Sequence, residues 1–314
     1  MLKVQDIQYV VYGVGDLDRT TAFMADFGLL PLATQGGRRY FRGAGPHAYI
    51  YVADPAAPVG LQAVGLRLAH AADLEQAARI PGASPIEDLD APGGGRRVRV
   101  TMAGGLPLEL VHGIEALAPL PMRDPLAINH GLQKHRVNRP QRPEARLDVL
   151  RLGHAALTVP DPVAARDWAQ RHLGMIVSDA LLVPGAKDQY LGFFMRCDLG
   201  STPSDHHSFL IAAGERAGTH HISFEMQDID AVHMAHEWMR SRGHAHHWGV
   251  GRHVLGSQVF DYWWDPDGMR IEHYADGDLY DSAVPATTVE ATNDQLWTWG
   301  PPVPDTFFQQ TRQG

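Results

Sequence analysis

The sequence contains very little cysteine and no long apolar run. Cys197 is the single cysteine among 314 residues, so an internal disulfide framework is excluded and we expect a reduced, cytoplasmic protein. No segment has 18 uninterrupted apolar residues, and the N-terminal residues lack the apolar stretch of a signal peptide. The sequence therefore predicts neither a membrane span nor a secretory leader.

The sequence also has no excess of basic residues. The chain has 27 Lys and Arg against 36 Asp and Glu, a net charge of −9, and its basic residues are scattered. A nucleic-acid-binding protein would present a basic face, so we expect no nucleic-acid partner. The length suggests two domains of ordinary size, and a hydrophobic content of 44% is enough to build their cores.

Histidine is abundant and unevenly distributed. Of the 18 histidines, 13 lie from His154 onward, where an even distribution would place about half of them. Histidine is the commonest metal ligand and titrates near neutral pH. A single histidine is most often a surface residue, but this excess indicates that the second half of the chain holds a site.

The chain repeats itself at an offset of 145 to 146 residues. In both halves an alternating apolar strand is followed by an aspartate-bearing turn, an amphipathic helix and a Phe-Gly or Leu-Gly stop. Two further matches follow in the same order, one of strand–turn–helix and one of strand–glycine turn–strand. The three pairs are Ile7–Leu32 with Leu152–Asp179, Ala63–Ile80 with His220–Met239, and Val98–Val111 with Val259–Tyr274.

This duplication predicts an α+β fold of two similar modules, each with helices outside a curved mixed sheet and a concavity inside. The proline-rich, polar stretch from Pro119 to Asp148 is typical of a linker between them.

The repeat also allows strand positions of the two halves to be compared. Two imidazoles and a carboxylate form the facial triad of non-haem iron(II) enzymes, with zinc bound by three protein ligands as the alternative. The second half carries such a set, whereas the first half matches only the glutamate. The aligned pairs are His154 with Tyr9, His221 with Gly65, and Glu272 with Glu109.

Three segments of the second half, "LGHAALTV", "HHISFEM" and "RHVLGSQVFDYWWDPDGMRIEHY", resemble the type I extradiol ring-cleavage dioxygenases. Length and the tryptophan-rich tail also resemble the trihydroxytoluene oxygenases. This family belongs to the vicinal oxygen chelate superfamily, which is built from paired βαβββ modules. The resemblance implies a metal-free N-terminal domain at residues 1–135, a linker at 136–147 and a catalytic domain at 148–314.

The resemblance also implies roles for individual residues. His154, His221 and Glu272 would bind Fe(II), with Mn(II) as the alternative ion, and His220 would point away. His253 would contact a substrate hydroxyl, and Tyr262 would bond to a catecholate oxygen. His206 would act as the acid–base residue, with His207 as its rival. Without the resemblance, Tyr262 would read as an ordinary strand aromatic.

The implied function is extradiol cleavage of a substituted catechol with incorporation of both atoms of dioxygen, by a homo-oligomer. One alternative is another metalloenzyme of the superfamily, a glyoxalase-like isomerase or a hydrolase. Another is a metal-free protein that binds an aromatic ligand in a dimer cleft. The apolar C-terminal stretch "NDQLWTWGPPVPDTFFQQ" is expected to pack across the second module, near the pocket mouth or at a subunit contact.

Overall fold

The computed structural model describes residues 2–141 and 149–309. It contains two large sheets, one in each half of the chain. The linker predicted at residues 136–147 lies between them, and its residues 142–147 fall outside the described part. Within the described ranges, no helix has the length and hydropathy needed to cross a membrane.

The first module contains eight strands and two helices. In chain order they are β1 (Val4–Gly13), α1 (Leu17–Asp26), β2 (Leu30–Gln35), β3 (Arg38–Arg42), β4 (Tyr51–Asp54), β5 (Gly60–Leu68), α2 (Ala71–Ala77), β6 (Glu87–Asp88), β7 (Arg96–Met102) and β8 (Leu106–His112).

The second module repeats this pattern with three additional short strands. Its elements are β9 (Arg151–Val159), α3 (Pro162–Leu173), β10 (Met175–Leu182), β11 (Tyr190–Cys197), β12 (Ser204–Asp205), β13 (Phe209–Ala213), β14 (Gly218–Glu225), α4 (Ile229–Ser241), β15 (His246–Arg252), β16 (Val259–Trp264), β17 (Arg270–Ala275), β18 (Leu279–Tyr280) and β19 (Thr287–Glu290). Two 3₁₀ turns follow, Asn293–Gln295 and Asp305–Phe308.

The two sheets have the same strand order. The first runs β2-β3-β4-β1-β5-β8-β7-β6, and the second runs β10-β11-β13-β9-β14-β17-β16-β15, with β19 added beside β10. Every strand of the first sheet thus has a counterpart in the second. The duplication and the paired-module vicinal oxygen chelate fold are confirmed.

Strand register corrects one equivalence drawn from the sequence. Gly65 pairs with Tyr9 in the first sheet, whereas Ser223 pairs with His154 in the second. The counterpart of Gly65 is therefore Ser223, and His221 corresponds to Ala63, so the predicted match was wrong by two residues. A two-residue slip preserves strand alternation, which is why the sequence pattern did not reveal it. A Cβ at position 65 would lie 2.6 Å from Cζ of Tyr9, so glycine there makes room for that ring.

The first module supports the back of the second sheet. His273 of β17 stacks on Phe27 with ring centroids 3.6 Å apart, and its Nε2 donates to the Phe27 carbonyl at 2.7 Å. Burial lowers the pKa of His273 to about 4, so its imidazole is neutral. Because side chains alternate along a strand, Glu272 faces the opposite side of the sheet. Packing against the first module therefore fixes which way Glu272 points.

The "DPDG" turn closes the hairpin of β16 and β17. The Asp265 carboxylate accepts the backbone N–H groups of Asp267 and Met269 at 2.9 and 2.8 Å. Burial raises the pKa of Asp265 to about 7, against the lowering effect of these N–H groups. The hairpin register places Tyr262 directly opposite Glu272.

Asp265 should make stability fall as pH rises towards neutrality. Between pH 4 and 7 the unfolded chain releases this proton while the folded chain keeps it, which costs about 1.4 kcal/mol per pH unit. Asp265→Asn keeps an acceptor oxygen and cannot ionise. Urea unfolding at pH 5 and pH 8 should show the variant gaining stability relative to the parent protein at pH 8. Parallel pH profiles for the two proteins would contradict this assignment.

Candidate metal centre

Three adjacent central strands of the second sheet bring the predicted ligands together. His154 lies on β9, His221 on β14 and Glu272 on β17. His154 Nε2 is 3.3 Å and His221 Nε2 is 3.5 Å from Glu272 Oε2. One ligand atom from each residue lies within 4.8 Å of the other two. Residues separated by 67 and 51 positions in sequence thus converge because their strands are neighbours.

The donor set fits a cation. Glu272 is 0% exposed, and its Oε1 and the Nδ1 of His154 are buried without a hydrogen-bond partner. Ser223 donates its hydroxyl to Oε2 of Glu272, but among the described residues no lysine or arginine pairs with this carboxylate. A buried, unpaired carboxylate is costly, whereas a shared metal ion would satisfy it. The 3.3 and 3.5 Å separations also exceed usual hydrogen-bond lengths.

His220 orients His221 instead of joining the three ligands. The Nδ1 atoms of these two histidines are 2.6 Å apart, which leaves Nε2 of His221 facing Glu272. Burial and nearby Arg270 lower the pKa of His220 to about 3, and burial lowers the pKa of His221 well below its usual value. Both imidazoles are therefore neutral, as a metal-binding histidine and its support must be.

In the first module, side chains of the protein itself bond to the matching glutamate, Glu109. Tyr9 donates its hydroxyl to Glu109 at 2.5 Å, and Arg97 donates to the other carboxylate oxygen at 2.9 Å. The guanidinium of Arg99 is 3.7 Å from the same carboxylate. Glu109 is thus neutralised by the chain itself, and Tyr9 occupies the position of His154. Among the described residues, the candidate ligand set of two histidines and a glutamate therefore lies in the second module.

His253 and Tyr262 lie beside the three candidate ligands. The Nδ1 of His253 donates to the Leu296 carbonyl at 2.7 Å, so its Nε2 accepts the Tyr262 hydroxyl at 2.9 Å. His253 Nε2 is 3.9 Å from Glu272 Oε1. Burial lowers the pKa of His253, and burial together with the Glu272 charge raises the pKa of Tyr262 well above its usual value. The pair is therefore a neutral imidazole and a protonated phenol.

The adjacent histidines 206 and 207 point in different directions. His206 donates from Nε2 to Asp179 at 2.6 Å, and its Nδ1 is 3.0 Å from the Nδ1 of His207. The ring of His207 lies on the cavity wall, with its centroid 4.2 Å from that of His154. Burial lowers the pKa of His207 well below its usual value. This geometry favours His207 over His206 as the residue that meets a substrate, and the acid–base role stays a prediction.

A cavity of about 630 Å³ opens in front of the candidate ligands. The C-terminal segment forms part of its wall through Leu296, Phe307 and Phe308, as expected for the tail near the pocket mouth. Arg270 holds this segment by donating to the Phe307 carbonyl at 2.9 Å, and Nε2 of His220 lies 2.6 Å from the same oxygen. Gln310, the last residue of the predicted tail, lies outside the described residues.

A second histidine group was not foreseen. His236 of α4 and His246 of β15 both contact the buried Asp261, at 3.1 and 2.8 Å, and Trp263 donates to the same carboxylate at 2.7 Å. These are hydrogen-bond lengths. The hydrogen bond that His236 donates to Asp261 raises the pKa of His236. The group ties α4 to the sheet, and its members meet through helix packing and strand pairing that the sequence does not show.

Most of the second module matches the model of a known protein family. Residues 151–273 match a family model described as the Glyoxalase/Bleomycin resistance protein/Dioxygenase superfamily. The match spans strands β9 to β17 and thus all three candidate ligands.

One curated relative of this chain is metapyrocatechase 2 of Cupriavidus necator. It is 34% identical over 163 residues, which is 51% of this chain and 48% of the relative. The alignment therefore spans about half the length of the curated relative.

Two solved structures share the fold over nearly the whole chain. The Mn(II)-bound glyoxalase from Novosphingobium aromaticivorans is 23% identical, with a TM-score of 0.80 and coverage of 98% of this chain and 94% of that one. The homoprotocatechuate 2,3-dioxygenase from Brevibacterium fuscum, in its anaerobic complex with 3,4-dihydroxyphenylacetate, is 20% identical, with a TM-score of 0.82 and coverage of 99% and 93%. At these identities the likeness is one of fold.

Matched glutamate variants test the metal centre. Glu272→Gln should lower bound metal at least tenfold, because a neutral amide replaces the only anionic ligand. Glu109→Gln removes a carboxylate at the same place in the first module and should keep the parent content of about one ion per chain. Metal would be measured by plasma mass spectrometry after anaerobic loading with Fe(II), with circular dichroism as the folding control. Equal metal content in the two variants would contradict the site.

Proposed function

We propose that the protein cleaves the ring of a catechol next to its diol, incorporating both atoms of dioxygen at a mononuclear Fe(II) bound by His154, His221 and Glu272. The observation that carries this proposal is the convergence of neutral His207, neutral His253 and protonated Tyr262 on the cavity beside the three ligands. When bound, such an ion lowers the pKa of a coordinated hydroxyl and holds both reactants on one centre. Mn(II) suits the same ligands.

Tyr262 and His253 are suited to handling the first proton. A protonated Tyr262 can donate a hydrogen bond to an ionised substrate oxygen, and a neutral His253 can accept from a substrate hydroxyl. The Leu296 carbonyl fixes the proton of His253 on Nδ1, so Nε2 is the accepting atom. Together the pair would favour and orient a singly ionised diol.

His207 is suited to the second proton. The Asp179 carboxylate accepts from His206, whose Nδ1 can then accept from His207, so the Nε2 of His207 is left to exchange a proton with substrate. A neutral imidazole near the reacting atoms can take up and return a proton in a general acid–base role. His206 is then a positioning residue that sets the tautomer and ring orientation of His207.

The alternative functions account for less of this site. A metal-free ligand-binding protein would have no use for a buried carboxylate that lacks a cationic partner. A glyoxalase-like isomerase or hydrolase of this superfamily often takes ligands from both modules. Here the first module's glutamate is engaged by Arg97 and Tyr9. The likeness to the Mn(II)-bound glyoxalase is one of fold and does not favour either activity.

Anaerobic reconstitution tests the function directly. The protein would be loaded with Fe(II), mixed with catechol, and followed with an oxygen electrode and by absorbance after air is admitted. Uptake of one O₂ per catechol and a yellow ring-opened product are expected, and metal-free protein is the control. Full iron loading without oxygen uptake for any catechol would overturn the proposal.

The two adjacent histidines should differ in their effects on turnover. His207→Phe should lower kcat roughly 10²- to 10⁴-fold, because the proton-exchanging group is lost. His206→Gln can still bond to Asp179 and should cost about tenfold, as expected for a positioning residue. Steady-state kinetics from pH 6 to 9 would be compared with iron content. A larger loss for the His206 variant at equal iron loading would reverse the assignment.

A further inference from the structure

The described lining of the cavity in front of the candidate metal centre offers no permanently cationic side chain to an anionic substituent. None of the described residues that line it is a lysine or arginine, and Glu215 is the only carboxylate among them. The nearby guanidinium of Arg270 is buried and donates to the carbonyls of Phe307 and Thr306. Recognition of a carboxylate usually depends on such cations, and leaving one unpaired in an apolar pocket is costly.

The cavity is also longer than a single aromatic ring. His154 and Thr158 both line it and lie four residues apart on one face of β9, about 13 Å at the usual strand rise. On the neighbouring strand β13, Ala212 pairs with Thr158 of β9 and Leu210 pairs with Ala156 of β9. Small side chains at the far end thus leave room well beyond the diol-binding end.

The walls of this extension are apolar. Four side chains that face the cavity are only half-buried: Leu181, Leu191, Phe194 and Leu210. Three of them are leucines, which are usually well buried. Burying such surfaces against an apolar ligand group is favourable and needs no specific hydrogen bond. The lining therefore offers affinity to an alkyl chain or second ring and none to a charge.

We propose that the substrate is a catechol bearing an uncharged apolar substituent, an alkyl chain or an aryl ring, and that carboxylated catechols are discriminated against. The diol occupies the metal end, and the substituent runs along β9 and β13 towards Ala212 and Leu181. This substrate class rests on the proposed ring cleavage, although its binding signature can be measured without turnover.

Anaerobic titration calorimetry of the Fe(II)-loaded protein measures recognition alone. The probes are catechol, 4-butylcatechol, 2,3-dihydroxybiphenyl and 3,4-dihydroxyphenylacetate. We expect butylcatechol or dihydroxybiphenyl to bind at least tenfold more tightly than catechol, and 3,4-dihydroxyphenylacetate at least tenfold more weakly. Equal or tighter binding of the carboxylate, or no gain from either apolar substituent, would overturn the substrate class.

Oxygen uptake separates this inference from the proposed function. Cleavage of catechol with no preference for apolar substituents would defeat the substrate class and leave ring cleavage intact. The expected order of Kd values without oxygen uptake would defeat ring cleavage and leave recognition intact.

Substitutions in the cavity test which residues determine the preference for an apolar substituent over a carboxylate. Leu181→Arg should shift the ratio of Kd values for 3,4-dihydroxyphenylacetate and 4-butylcatechol at least tenfold towards the carboxylate. Leu182→Arg is the matched control, because Leu182 is likewise a half-buried leucine of β10 and is not among the residues that line the cavity. It should keep the parent ratio.

Ala212→Leu provides a test that introduces no charge. Filling the far end should reduce the affinity gain of 4-butylcatechol over catechol at least fivefold. Circular dichroism would verify folding of each variant. An unchanged gain in folded Ala212→Leu would overturn the proposed placement of the substituent.

Discussion

The site of the second module depends on one buried carboxylate with which no lysine or arginine of the described residues pairs. Glu272 sits on a central strand, shielded from solvent, and Ser223 donates to it. Its position requires the β16–β17 hairpin in correct register, and its direction requires His273 to pack on the first module. The two histidines, the phenol–imidazole pair and the cavity are all arranged around this negative charge.

The duplication shows two physical solutions to the same problem. In the first module, Arg97 and Tyr9 satisfy Glu109 from within the chain, and the charge is held permanently. In the second, the described residues place the imidazoles of His154 and His221 beside Glu272 and no guanidinium, and we propose that a metal ion offsets the charge. An internal arginine gives a closed structural pair, whereas a metal ion keeps coordination positions available. Few sequence differences thus separate the module whose glutamate is paired within the chain from the module with the candidate metal site.

Strand and helix order, the repeat and the convergence of His154, His221 and Glu272 could be predicted because they depend on local periodicity and residue type. Register could not, since a two-residue slip leaves the alternation unchanged, and His221 was therefore matched to Gly65 instead of Ala63. The directions of His206 and His207 depend on Asp179, which is distant in sequence. The Asp261 group was missed for the same reason: its members come from α4, β15 and β16 and meet only in the folded protein.

The Phe307 carbonyl links the end of the chain to the metal centre. It contacts His220, whose other nitrogen positions His221. The last described residue, Gln309, lines the cavity itself. A shift of the backbone at Phe307 would therefore change the cavity wall and the support of a candidate ligand together, although Phe307 itself is not one of the three candidate ligands.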